Sequence, residues 1–145
     1  MRIVVLAVGK VKERGLREVL DDYYTRVRRH VPCDEIEIRD GKDVEGALRA
    51  AIPSGAYSVA LEVGGDAMTS EQLARLLALR GAEQKGVVAF LIGGADGLPR
   101  ALSRGASMRL SLSSFTLAHR VARVVLAEQL YRAVSIWRGG PYHRA

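Results

Sequence analysis

The chain has 145 residues, enough for one domain with a full hydrophobic core. Hydrophobic residues make up 48% and charged residues 26%, a globular balance that excludes a disordered chain; the single cysteine, Cys33, excludes an internal disulfide and a cysteine-built zinc centre. The net charge is +6, and no run approaches the roughly 18 apolar residues of a membrane helix.

Residues 2–8 read as a buried strand. The chain then turns polar at Lys10 with no small-residue cleavage site, so this is not a secretory leader, and a cytoplasmic protein without a membrane partner is expected. Residues 15–29 carry apolar groups at Leu16, Val19, Leu20, Tyr23 and Val27, a helical spacing that ends in the basic cluster Arg26, Arg28, Arg29 and His30. Residues 34–39 alternate acid and isoleucine, as in an edge strand. Residues 43–52 form a short helix stopped by Pro53. Tyr57 to Val63 reads as a buried strand closed by Gly64 and Gly65, and Thr69 or Ser70 caps a helix bearing Leu73, Leu76 and Leu77. Residues 87–92 are apolar throughout, as central parallel strands are. A short helix over 100–105, a strand over 107–112 and a long helix over 119–138 follow, the last ended by Gly139-Gly140-Pro141. Strands alternating with helices predict an α/β fold, a mostly parallel sheet flanked by helices in one domain over 1–145.

Ligands in such sheets bind beyond the carboxyl ends of the strands. Three loops lie there: Leu61 to Gly65, Ile92 to Gly97 and Leu112 to Leu117. The second holds three glycines in five residues, which permits either close backbone approach to a ligand or a tight turn. It is neither a dinucleotide fingerprint nor a phosphate-binding P-loop, because the glycine offsets are wrong and no Gly-Lys-Ser/Thr follows. The charge is uneven too. Residues 100–145 contain eight arginines against the single acid Glu128, so all the net positive charge falls there. That asymmetry points to an anionic partner such as a nucleic acid, with a solvated helix face as the alternative.

Several segments together resemble one family. Leu91-Ile92-Gly93-Gly94-Ala95-Asp96-Gly97, Leu110-Ser111-Leu112-Ser113, Glu128-Gln129-Leu130-Tyr131-Arg132-Ala133, the terminal Pro141-Tyr142-His143-Arg144 and the amino-terminal Val5 to Lys10 look like the RlmH family. These are SPOUT-class methyltransferases acting on a pseudouridine of 23S rRNA, and the resemblance spans the whole chain. It implies an α/β knot, which general topology rules argue against. It also implies a homodimer, no appended RNA-binding domain, S-adenosylmethionine as methyl donor with no metal, and N3 methylation on the assembled ribosome. Donor contacts carried over fall on Leu61, Gly93, Gly94, Leu112, Ser113, Ser114, Phe115, Thr116 and Leu117. Two positions depart from the family pattern: Glu62 stands where aspartate is common, and Ala118 where a proline commonly precedes His119.

The acceptor nitrogen must lose a proton, so a base or a local positive field is needed. His143 is the first candidate, with Tyr142 orienting the base and Arg144 holding a phosphate or the deprotonated imide. Asp96 is an alternative base, although Asp-Gly commonly forms turns. His119, Arg120 and Arg123, at the start of the last helix, are candidate RNA contacts; the arginines could instead pair with acids of a second subunit. Tyr131, Val134 and Trp137 read as core or interface packing, and Cys33 and His30 receive no role. Two rivals remain at this point: a non-enzymatic ribosome- or RNA-binding protein, and a SPOUT methyltransferase with a different RNA acceptor.

Overall fold

The computed structural model describes residues 1–83 and 86–142. Its elements follow in the order β1 (Arg2–Val8), α1 (Arg14–Arg28), β2 (Cys33–Ile38), α2 (Val44–Ala51), β3 (Tyr57–Ala67), α3 (Ser70–Gly81), β4 (Val87–Ile92), α4 (Arg100–Gly105), β5 (Met108–Ser111) and α5 (His119–Trp137). The five strands form one sheet in the order β2-β1-β4-β3-β5, and every pairing is parallel. Helices cover both faces, which is why β1 and β4 carry uninterrupted apolar runs.

Side chains alternate across a strand, and β1 splits accordingly. Ile3, Val5 and Ala7 face the layer of α1, α3 and α5, where Leu20, Tyr24, Leu77, Leu126 and Leu130 complete the larger core. Val4, Leu6 and Val8 face the other side, where Leu48 of α2 and Leu102 complete the smaller one. Strand β2 lies at the sheet edge, and its alternation is oriented by charge. Glu35 and Glu37 turn toward α1 and α5, Ile36 is exposed, and Ile38 joins the smaller core.

Local signals place the termini of two helices. Thr69 closes a capping box at α3, with the Gln72 N–H donating to Thr69 Oγ1 at 3.1 Å and the Thr69 N–H to Gln72 Oε1 at 2.8 Å. Helix α5 ends in a Schellman turn. Gly139, at φ +77°, donates to the Ile136 carbonyl, and Gly140 donates to Ser135.

One boundary departs from expectation. Strand β3 does not close at Gly64-Gly65 but continues to Ala67. Its pairing with β5 is interrupted: Leu61 and Asp66 both lie opposite Leu110, so the residues between them bulge outward. A Cβ on Gly65 would stand 2.8 Å from the Arg109 carbonyl carbon and the Leu110 nitrogen. That glycine therefore serves close approach of two strands rather than a turn.

Candidate functional site

The carboxyl ends of β3, β4 and β5 open into a cleft of about 410 Å³. All three loops singled out by strand position line it. Leu61, Glu62 and Val63 come from β3, Ile92 ends β4, and Gly93 to Ala95, Gly97 and Leu98 follow it. Leu112, Ser113 and Phe115 to Ala118 follow β5, and His119 and Ala122 belong to the first turns of α5.

Each loop is shaped by its own sequence. After β4, the Gly97 N–H donates to the Gly94 carbonyl at 3.0 Å, and Gly97 adopts φ +75°. Ala95 and Asp96 form the exposed tip of this turn, and Asp96 is not in the lining. A Cβ on Gly93 would meet the Gly97 carbonyl carbon at 2.4 Å. The glycine requirement is thus internal to the loop, which folds against itself. After β5, Ser111 Oγ donates to the Ser113 carbonyl and the Phe115 N–H donates to Ser113 Oγ, each at 2.9 Å. These bonds fix the loop without the proline the family often carries. Helix α5 starts at Ala118 with no side-chain cap, so its first N–H groups have no intrahelical acceptor where the helix borders the cleft.

The lining suits an amphiphilic cation. Leu61, Ile92, Leu98, Leu112 and Leu117 supply apolar walls, while Ser113, Thr116 and the loop backbones supply polar groups. Glu62 is the one carboxylate in the described lining, which contains neither lysine nor arginine.

The structure separates the other candidates. Ser114 is exposed and lies outside the lining, and Phe115 sits at the rim with 79% of its surface exposed rather than enclosed. Arg123 is not an RNA-facing residue. It is 2% exposed, and its Nη2 donates to Glu35 at 2.6 Å and to Glu37 at 2.7 Å while Nη1 donates to the Gly9 carbonyl at 3.1 Å. Arg17 pairs with the same two acids from α1. Burial alone would raise the Glu37 carboxyl, but the Val11 N–H, Arg123 and Arg17 outweigh it and hold it below the usual carboxylate range. Arg120, half-exposed, pairs with Glu13 at 2.9 Å. The acids are those of the same chain.

Internal pairing also disperses the arginine-rich third. Arg109 caps the carbonyls of Ser103 and Arg104, Arg132 pairs with Glu128, and Arg138 donates to the His30 carbonyl. These three guanidinium groups are therefore held in place by groups of the chain itself.

Tyr142 lies against α5 away from the cleft. Its ring centroid is 4.5 Å from that of Tyr131, and the Arg132 guanidinium sits 4.8 Å over it. Burial, a Tyr23 hydrogen bond and Glu128 push its hydroxyl pKa up. Tyr131 stands nine residues after Ala122, two and a half helical turns, so the face that holds Tyr142 is turned away from the face that lines the cleft. His143 and Arg144 lie outside the described residues. Val134 is fully buried; Tyr131 and Trp137 are half-buried at the edge of the core. Burial pushes the Cys33 thiol up to about 12, which suits packing and not nucleophilic chemistry. Among the described residues no cluster of His, Cys, Asp and Glu is placed to hold a metal ion, and no helix is long and apolar enough to cross a membrane.

Comparison with known proteins gives a consistent result. A family model described as "Predicted SPOUT methyltransferase" matches residues 1–143. The chain is 54% identical, over 98% of its length and 99% of the relative's, to "Ribosomal RNA large subunit methyltransferase H" of Sorangium cellulosum. It is 41% identical, over 99% and 100%, to the protein of the same name in Gemmatimonas aurantiaca. Among solved structures, one concerned with 2-OH methylation of C/U34 on tRNA superposes with a TM-score of 0.54 at 16% identity, covering 92% of this chain and 97% of that one. A probable methylase family protein from Haemophilus influenzae gives 0.53 at 12%, covering 97% and 68%. At such identities the structural likeness speaks for the fold.

Proposed function

Because the chain belongs to the SPOUT methyltransferase family, and within it to the ribosomal RNA large subunit methyltransferase H (RlmH) branch, we propose that it methylates N3 of a pseudouridine in 23S rRNA on the assembled ribosome, with S-adenosylmethionine as donor. The observation that carries this reading is the cleft itself, which gathers the three strand-end loops into one amphiphilic space. The family implies the knotted form of this parallel α/β fold. In this reading residues 1–145 act as one domain in the cytoplasm.

The cleft fits the donor in size and in charge. Its volume is within the range of small-molecule sites. Leu61, Leu112 and Leu117 would enclose the adenine, and the backbone of Gly93 and Gly94 with Ser113 and Thr116 would hold polar groups. Glu62, with no cation beside it in the described lining, suits a ligand carrying a sulfonium charge. The uncapped N–H groups of α5 suit its carboxylate. When bound, the donor supplies an activated methyl carbon. The protein's main task is then to hold donor and acceptor in near-attack geometry and to exclude water.

The acceptor imide must give up its proton. In this reading His143 takes it, Tyr142 orients the base, and Arg144 steadies the resulting charge. Tyr142 is held on the opposite face of α5 from its own cleft, which favours a tail that serves the cleft of a second copy and therefore a homodimer. His119, in the lining, and Arg120, whose exposed pair with Glu13 is weak and exchangeable, would meet the RNA.

The test is calorimetric titration of the purified protein with S-adenosylmethionine. Saturable binding in the micromolar range is expected. A folded, dimeric protein that binds none would replace this reading with that of an RNA-binding protein.

A further inference from the structure

Among the described residues, Phe115 is the most exposed of the large apolar side chains, at 79%, and it belongs to the lining of the cleft. Val63, 56% exposed, stands in the same lining from the β3 bulge. Phe115 is the one phenyl, phenol or indole ring in that lining, the imidazole of His119 being the other planar side chain there. Its backbone is tied down by the bond from the Phe115 N–H to Ser113 Oγ, so the residue is presented at the rim by a fixed turn. The buried or half-buried Leu61, Ile92, Leu98, Leu112 and Leu117 already wall the interior without it.

We propose that Phe115 is a platform for the acceptor: it stacks against the nucleobase to be methylated, with Val63 as an apolar neighbour, and so selects a flat base over a ribose hydroxyl. The inference rests on the methyltransferase reading above. A methyl group can pass only to an atom brought within about 3.5 Å of the donor carbon, so the acceptor base must come to the mouth of this cleft. A base drawn out of its RNA stack loses stacking partners, and proteins replace them with aromatic side chains. An exposed ring carried at the entrance by a hydrogen-bonded turn supplies that replacement. The donor's adenine is the competing occupant, but a ring four-fifths exposed before any ligand arrives is poorly placed to enclose it.

The experiment compares Phe115→Ala, Phe115→Leu and Phe115→Tyr with the parent. Three quantities are measured: donor affinity by calorimetry, transfer of labelled methyl to large ribosomal subunits lacking the modification, and mass in solution by sedimentation. Replacing one stacking ring by alanine weakens base binding by roughly 5- to 150-fold. Phe115→Ala should therefore lower kcat/KM for the subunits by about 10- to 100-fold, mainly through KM, with donor affinity within about threefold of the parent. Phe115→Tyr should restore activity, and Phe115→Leu should not. Four results overturn the inference: donor affinity falling in step with methylation, which makes Phe115 an adenine wall; leucine working as well as tyrosine; methylation unchanged in alanine; or a lowered mass, which makes it a subunit contact. A parent that binds no donor, or binds donor and leaves the subunits unmethylated, overturns the functional reading and this inference with it.

Discussion

Replacing Arg123 with methionine tests whether the interior ion cluster holds the start of α5. Arg123 is 2% exposed, Glu35 8% and Glu37 25%. The substitution leaves two largely buried carboxylates with Arg17 as the one remaining cation in this cluster, Glu37 keeping the Val11 N–H, and frees the Gly9 carbonyl. Stripping one partner from a buried pair costs roughly 3–5 kcal/mol. Two features place this case at the lower end. Arg17 remains paired with both acids, and Arg123 Nε is already buried without a partner, so its desolvation cost disappears with the side chain. The expected loss is about 3 kcal/mol, or roughly 6–12 °C in Tm for a domain near this size. It should be read from urea denaturation at unchanged slope. Adding Glu35→Gln should recover at least about 1 kcal/mol, because it removes the stranded charge rather than a contact. Donor affinity should fall in Arg123→Met as well, since Ala122 and His119 beside it form the cleft wall. A loss below about 1 kcal/mol, or no recovery in the double variant, would refute the view that this cluster behaves as a buried one.

Four further outcomes are expected. Glu37 has a folded-state pKa below its unfolded value, so its contribution to stability is present above the ordinary carboxylate range of about 4.3 and is lost as pH falls through the lowered value; urea midpoints of Glu37→Gln should show a flatter acid limb than those of the parent. Gly93→Ala should abolish donor binding in calorimetry, because its Cβ would stand 2.4 Å from the Gly97 carbonyl carbon and the loop must open. Gly65→Ala should lower stability by roughly 1–3 kcal/mol in urea denaturation, since two strands must separate to admit a methyl group. Deleting residues 142–145 should leave donor titrations unchanged and stop methyl transfer to ribosomal subunits.

The order of elements was legible because periodicity and punctuation agree in this chain. Apolar runs over 3–8 and 87–92 can be satisfied only between two helical layers, and the Thr69 cap and Gly139 mark helix ends by local chemistry alone. The cleft followed from a rule of topology, that ligands bind beyond strand carboxyl ends, and so it needed no knowledge of distant contacts. Gly64-Gly65 misled for a definite reason. A glycine pair is the same signal for a turn and for a bulge where strands nearly touch, and only the position of Arg109 decides between them.

The arginines divide differently: the RNA partner to which their surplus points agrees with the rRNA methyltransferase names of the relatives, but the place of each side chain did not follow from the count. Counting charges by sequence region assumes that a surplus is spent on solvent or on a partner, whereas five of the seven described arginines in the last third are engaged by side chains or carbonyls of this chain. A signal existed for the most buried of them. Arg123 stands three, four and seven residues before Leu126, Ala127 and Leu130, which places it on the buried face of α5. An arginine there requires an inward carboxylate, and Glu35 and Glu37, two apart on one strand, share a face. Each half of that pattern reads as ordinary surface charge by itself; the requirement that a buried cation be paired joins them, and it also explains why the edge strand β2 turns its acids inward while leaving Ile36 exposed.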